Sequence, residues 1–262
     1  MHPMLTIATR AARAAGNIII RAYERTDTLI ITEKTQNDFV TKVDLQAEQE
    51  IINTIRKSYP NHGILAEESG TKPGDDYQWI IDPLDGTTNY IHKFPHFAVS
   101  IAIQHRQQLE HAVIYNPLAD EMFLATRGSG ARVNDRRMRV SQRSSLSGAL
   151  LGTGIPFRED QDLASYLTTL SALLPGTAGV RRAGSAALDL AFVAAGRLDG
   201  FWELGLKPWD MAAGILMIQE AGGIVSDIQG NNRYLETGHL ITANPKVHQA
   251  MLKSIQQSLT TT

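Results

Sequence analysis

Apolar residues recur at steps of three and four along the start of the chain. Leu5, Ala8, Ala12, Ala15, Ile19 and Ala22 fall on one face of a helix. A second helix is predicted from Asp44, read as its N-cap, with Ala47, Ile51, Ile55 and Tyr59 on the buried side and Pro60 as the stop. The polar stretch between them, Thr32 to Thr41, reads as a turn-rich connection or mobile flap. From Ile64 short apolar runs alternate with Gly, Pro and Asp. Strands are predicted at Ile64–Ala66, Trp79–Ile81, Ala98–Ile103, Ala112–Tyr115 and Met122–Ala125. Consecutive strands after two helices predict an α+β half, roughly 1–145, with a mostly antiparallel sheet.

The remainder, roughly 146–262, alternates as an α/β half. Leu150 and Leu151 predict a strand, Asp162 to Leu174 and Ser185 to Ala195 predict helices, and Gly200–Glu203 another strand. A helix follows from Met211 to Glu220. Asn244-Pro245 has N-cap and N1 chemistry for a last helix through about Ser258. No repeat, low-complexity tract or Pro-rich linker separates the halves, so a single domain over 1–262 with one shared core is expected.

Composition narrows the function. The 262 residues carry a formal net charge of −2, which removes the electrostatic reason for strong nonspecific nucleic-acid binding. There is no cysteine, so disulfides, thiolate zinc sites, iron–sulfur clusters and a cysteine nucleophile are excluded. A metal must then be held by oxygen or imidazole, which points first to Mg²⁺, Mn²⁺ or Ca²⁺. The longest apolar run, Leu190 to Ala195, is far short of a membrane span, and a cytoplasmic location is the default expectation.

The most informative segment is Trp79-Ile80-Ile81-Asp82-Pro83-Leu84-Asp85-Gly86-Thr87-Thr88-Asn89. A hydrophobic strand runs into two carboxylates three residues apart, where open α/β sheets present their ligands. Pro83 stiffens the turn and lacks an N–H. Two anions held this close repel unless a cation compensates them, and the Leu84 carbonyl offers one more oxygen. The backbone amides of Gly86, Thr87 and Thr88 are placed to face a phosphate. Glu67-Glu68-Ser69 again puts carboxylates at a strand end, and Asp210 precedes an apolar helix as its expected N-cap.

These segments, with Trp209-Asp210-Met211-Ala212-Ala213-Gly214 and Glu220-Ala221-Gly222-Gly223, resemble the two signatures of the inositol monophosphatase family. The resemblance covers nearly the whole chain and is nearest the bacterial extragenic-suppressor branch, to which Met1-His2-Pro3-Met4-Leu5 and Asn37-Asp38-Phe39-Val40-Thr41 are similar. It implies an αβαβα sandwich and a cluster of two to three Mg²⁺ ions. Glu67, Asp82 and the Leu84 carbonyl would hold one ion, Asp82, Asp85 and Asp210 a second, with a third near Glu67. Thr87 would help orient an attacking water, and the Gly86–Thr87 amides, with Thr88, would bind phosphate. Gly184, Ser185, Ala186 and Glu203 match the family's alcohol-binding positions, beside Asp210. The Thr32–Thr41 segment matches the family's mobile metal-site loop, with shorter spacing around Lys34 than in animal enzymes, which bears on Lys34, Asp38 and Asp44. The implied activity is hydrolysis of myo-inositol 1-phosphate without a phosphoenzyme, with lithium inhibition and a homodimer. Fructose 1,6-bisphosphate, histidinol phosphate and adenosine 3′,5′-bisphosphate are the competing esters. The same branch is linked to transcription antitermination through NusA and RNA polymerase, a second and noncatalytic reading.

Other signals are weaker. The D-x-D-G-T signature of haloacid-dehalogenase phosphatases is one residue tighter than Asp82 to Asp85. His92 and His96 flank Pro95, which argues against a helical zinc pair. Gly152-Thr153-Gly154 begins a dinucleotide fingerprint that Phe157 breaks. Arg132, Arg136, Arg137, Arg139 and Arg143 predict a solvated hairpin, with a phosphate-bearing ligand or RNA as the alternative.

Overall fold

The computed structural model describes residues 2–24, 31–35, 38–156 and 161–260, and between 31 and 40 the backbone only. Helix α1 (Pro3–Tyr23) buries Leu5, Ala8, Ala12, Ala15 and Ile19, as its period predicts, and is capped by His2. The segment expected as a turn-rich connection is instead an antiparallel pair, β1 (Ile31–Thr35) with β2 (Asp38–Thr41). The side chains of Lys34 and Asp38 lie outside the described residues. Helix α2 (Lys42–Ser58) starts two residues earlier than Asp44. Thr41 is its N-cap, and Asp44 closes a capping box from the third helical position, taking the Thr41 amide at 2.9 Å.

The strands β3 (Gly63–Ala66), β4 (Gly70–Lys72), β5 (Tyr77–Asp85), β6 (Ala98–His105), β7 (Gln108–Asn116), β8 (Glu121–Thr126), β9 (Gly130–Val133) and β10 (Arg136–Arg137) form one eight-stranded sheet, with the short α3 (Thr87–Ile91) after β5. Its order is β10-β9-β8-β7-β6-β5-β3-β4, antiparallel except where β3 runs parallel to β5. The second half supplies β11 (Leu150–Thr153), α4 (Leu163–Leu173), β12 (Gly179–Arg181), α5 (Ala186–Ala194), β13 (Gly200–Glu203), α6 (Pro208–Glu220), β14 (Ile224–Ser226), α7 (Tyr234–Thr237), β15 (Leu240–Ala243) and α8 (Pro245–Thr260). Its five-stranded sheet has the order β12-β11-β13-β15-β14.

The layers alternate as αβαβα. Helices α1 and α2 cover one face of the large sheet, burying Ile51, Ile55, Trp79 and Val99 between them. Helices α5 and α6 fill the space between the sheets, where Ile80, Ile114, Leu190, Ile215 and Phe201 share one cluster drawn from both halves. Helices α4 and α8 close the far face over Trp202, Ile241 and Met251. Each such large side chain, removed from water, contributes about 1.5–3 kcal/mol before entropy is charged against it. The sandwiched helices explain why α5 and α6 are apolar nearly all round, whereas α1 and α2 are one-sided.

Helix α6 begins at Pro208, a residue suited to the first helical position, so Asp210 sits in the first turn rather than at the cap. The Arg136–Val133 pairing makes the expected arginine hairpin, and Arg132, Arg136, Arg137 and Arg139 are exposed. Arg143 instead reaches Asp199 at 3.0 Å.

Candidate active site

The parallel pairing of β3 with β5 brings their C-terminal ends to one edge, with Glu67 after one and Asp82 and Asp85 at the end of the other. Residues three apart on a regular strand point to opposite faces. Here the β5–β6 register slips, so that Asp82 faces Ser100 and Asp85 faces Ala98, one residue longer on β5. This bulge holds Pro83, which has no N–H to lose, and turns both carboxylates toward the same cavity. The Glu67 amide donates to Ile81 O at 3.1 Å, and Glu48 of α2 accepts from the Glu68 and Ser69 amides at 2.8 and 2.9 Å. Glu67 is thereby fixed beside Asp82.

After Asp85 the chain takes a left-handed turn at Gly86, φ 96°, where a Cβ would come 2.9 Å from His96 O. Helix α3 starts at once, so the amides of Thr87 and Thr88 belong to its first turn. The Thr87 hydroxyl lies 2.9 Å from Asp44 Oδ1 and 3.0 Å from Leu84 O. Asn89 donates to His96 O and Ala183 O at 2.7 and 2.8 Å, tying α3 to the segment that enters α5. There Ser185, the N-cap, donates its hydroxyl to Asp85 Oδ2 at 2.6 Å, and the Ala187 amide adds 2.7 Å to the same oxygen. Asp210 accepts from the Lys207 amide at 2.7 Å.

The residues expected at the site line one cavity of ≈ 190 Å³: Glu67, Asp82, Leu84, Asp85, Gly86, Thr87 and Thr88 on one side, Gly184, Ser185, Ala186, Glu203 and Asp210 on the other. Gly154, read from the sequence only as part of a broken dinucleotide fingerprint, lines it too. So do Arg182, Asp189 and Lys207, which the sequence reading did not single out. Neither did it give Glu48 a role. Thr153 ends β11 there and Gly154 follows it, and Phe157 lies outside the described residues. His92 caps α3 while His96 packs edge-on against Phe192, so they form no helical pair.

Burial and crowding dominate the electrostatics. Asp82 is pushed well above the usual carboxylate range by burial, then by the charges of Glu67, Asp85 and Asp210. Its carboxyl touches that of Glu67, a contact two ionised carboxylates keep only with a proton or a cation between them. Burial lifts Asp85 to about 6 against the hydrogen bonds from Ser185 and Ala187. Glu203 rises to about 8, by burial and by Asp189 and Asp85, with Arg182 opposing. Among the described residues no group of three or more carboxyl or imidazole side chains encloses a common point. The donor set is nonetheless that of a hard divalent cation: oxygens only, several anionic, one backbone carbonyl.

The fold and this edge of carboxylates define a class. The sequence profile of the inositol monophosphatase family matches residues 1–260, and the chain belongs to that family, a family of generally Mg²⁺-dependent phosphatases. It is 56% identical to the Nus factor SuhB of Pseudomonas aeruginosa over 99% of this chain and 98% of that protein. The crystal structure of the extragenic suppressor protein SuhB from Bartonella henselae superposes with a TM-score of 0.95 at 43% identity, over 98% of this chain and 99% of that one. An inositol monophosphatase from Anabaena matches with a TM-score of 0.87 at 40% identity, over 97% of this chain and 95% of that one. No helix among the described residues is long and apolar enough to cross a membrane.

Proposed function

We propose that this chain is a Mg²⁺-dependent phosphate monoesterase that hydrolyses myo-inositol 1-phosphate by direct attack of water. The observation that carries the reading is the convergence of Glu67, Asp82, Asp85 and Asp210 at one cavity edge beside the Thr87–Asp44 contact. Glu67, Asp82 and the Leu84 carbonyl would hold one ion, Asp82, Asp85 and Asp210 a second, and Glu67 would share a third. When bound, the ions supply Lewis acidity and charge neutralisation for phosphoryl transfer.

The chain's own groups do the rest. Thr87 gives its single hydroxyl proton to the acceptors beneath it, Asp44 among them, which leaves its oxygen lone pairs to accept from the attacking water and aim it at phosphorus. The first-turn amides of α3, at Thr87 and Thr88 beside Gly86, face the phosphate oxygens. Gly184, Ser185 and Ala186 shape the far wall while Ser185 holds Asp85. Glu203 faces the alcohol and hydrogen-bonds a polyol hydroxyl, which favours an inositol or sugar ester over a smaller one. No step calls for a phosphoenzyme.

The test is phosphate release from myo-inositol 1-phosphate, fructose 1,6-bisphosphate, histidinol phosphate and adenosine 3′,5′-bisphosphate, with and without Mg²⁺. Fast metal-dependent turnover of the inositol ester that vanishes in Asp85→Asn is the expected result. Preference for another ester replaces the substrate and keeps the mechanism, and no metal-dependent turnover on any ester overturns the enzymatic reading.

A second role is supported by the relatives. The P. aeruginosa protein, 56% identical, is named a Nus factor. We propose that this chain also joins a transcription complex in the cytoplasm, through NusA or RNA polymerase, and forms homodimers. Asp85→Asn should leave that association intact, because its charge lies inside the cavity.

A further inference from the structure

Asp44 and Glu48 lie one turn apart on the inward face of α2, in line with Ile51 and Ile55. Glu48 is 3% exposed. A carboxylate buried to that degree is costly unless donors match its oxygens. Here each oxygen takes a backbone amide: Oε2 accepts from Glu68 at 2.8 Å and Oε1 from Ser69 at 2.9 Å.

Those amides belong to the turn that carries Glu67. Strands β3 and β4 pair as far as Ala66 and Gly70, so Glu67, Glu68 and Ser69 form a three-residue hairpin turn. Gly70 closes it in the left-handed region at φ 70°. The remaining amide of the turn, that of Glu67, goes to Ile81 O of β5 at 3.1 Å. The strand that leads to Asp82 thus holds one amide of the turn, and Glu48 holds the other two. This clamp works against repulsion. The carboxyls of Glu67 and Asp82 touch, and the charge of the first disfavours that of the second. Released from α2, the turn would relieve the repulsion by swinging Glu67 outward.

We propose that Glu48 is a positioning residue of the metal site: by clamping the β3–β4 turn it holds Glu67 where a divalent cation needs it. The inference rests on the metal-site reading given above. One helix then sets two sides of the site. Asp44 holds the Thr87 hydroxyl at 2.9 Å, and Glu48 one turn later holds the turn of Glu67. Mounted on one rigid element, ligand and hydroxyl keep their spacing before a cation arrives. Glutamate suits the task because both carboxylate oxygens accept. Glutamine would turn its N–H₂ toward one of the two amide donors.

The test is Mn²⁺ binding to the full chain without substrate, read from the EPR signal of the free ion. Glu48→Gln should bind about tenfold more weakly than the native chain, the lower end of the loss for a partner behind a metal ligand. Hydrogen exchange at the Glu68 and Ser69 amides should quicken in the same variant while α2 keeps its native protection, which shows the turn released from an intact fold. Glu67→Gln removes the ligand itself. The double variant should then bind no more weakly than Glu67→Gln alone, because Glu48 acts through Glu67. Additive losses would mean that Glu48 contributes only its charge, and they would overturn the inference. Native affinity in Glu48→Gln would overturn it too. Should that variant not fold, Glu48→Asp, which keeps the charge and shortens the reach, carries the same comparison. A native chain that binds no Mn²⁺ would instead overturn the metal-site reading, and this inference with it.

Discussion

Thr87 Oγ1 lies 2.9 Å from Asp44 Oδ1, a contact between a residue of α3 and one of α2 that are far apart in the chain. Asp44 is fully buried, and its other oxygen takes the amide and hydroxyl of Thr41. Burial raises its carboxyl, and the three donors pull it back toward the ionised form. An ionised Asp44 can only accept, which fixes the direction of the Thr87 proton. Asp44→Asn keeps the shape and loses that direction. We expect kcat to fall about 10²-fold with KM nearly unchanged, the size of a lost proton-positioning group. Thr87→Ala should cost a similar factor, and the double variant little more, because the two act as one unit. Additive losses would show that the contact is structural only.

Gly154 sets the position of Glu203. A Cβ on Gly154 would overlap the Glu203 carboxylate, far inside van der Waals contact. Gly154→Ala therefore has to swing Glu203 away from the side of the cavity proposed for the alcohol. The side proposed for the phosphate, on β5 and α3, is untouched. KM for a polyol ester should rise about tenfold, the size of one lost hydrogen bond, while kcat at saturation changes little. Steady-state kinetics with a polyol ester and with a small nonpolyol phosphate separate the effects, since only the first should respond.

The carboxylates of this site were legible because Asp82, Asp85 and Thr87 are close in sequence and follow an apolar strand. Asp44 and Glu48 were harder to see. They come from a helix whose exposed-looking acidic residues turn inward, and only tertiary pairing with Thr87 and with the Glu68 and Ser69 amides shows why they are buried. Arg182, Asp189 and Lys207 stand on separate elements with no common spacing. The strands β12 and β14 have three residues each, too few for an alternation to register. The polar Thr32–Thr41 segment read as a turn because no apolar face announces its hairpin. At α2 and α6 the error was one of capping. An acidic residue at the third helical position accepts from the cap residue's amide, whereas an N-cap side chain accepts from an amide further into the helix. Residue type alone does not separate the two.

Helices α5 and α6 come into close contact at Gly214. A Cβ there would lie 2.4 Å from Leu190 Cβ and 2.6 Å from its Cδ1. The same two helices present Ser185 with the Ala187 amide, and Asp210, to the carboxylate edge. Gly214→Ala gains about 1 kcal/mol of helix propensity and meets an overpacking cost of about 1–3 kcal/mol. Net destabilisation is expected, read as a lower melting temperature. Because the strain pushes Asp210 away from Asp85, the Mg²⁺ concentration giving half-maximal activity should rise as well. A stabilised variant with unchanged metal response would refute the tight contact.

His111 ties stability to pH. Burial, with a smaller contribution from His2, lowers it from 6.5 to about 4 in the folded chain. Its Nδ1 lies 3.0 Å from the Thr126 hydroxyl, a bond suited to the neutral ring. Between these two values the unfolded chain binds the proton that the folded chain refuses, so folding stability rises with pH across the window. The contribution is complete above 6.5 and is lost as the pH falls toward 4, up to about 3 kcal/mol at 1.36 kcal/mol per unit. The raised carboxylates of the cavity act in the opposite sense, losing stability as pH rises, so the total curve alone does not isolate the ring. The difference between the native chain and His111→Gln does. The glutamine keeps a partner for Thr126 and has no proton to gain. Denaturant unfolding at a series of pH values should show the native chain losing more stability than the variant on acidification from 6.5 to 4. Parallel curves would mean that His111 takes up its proton in the fold as readily as in the unfolded chain.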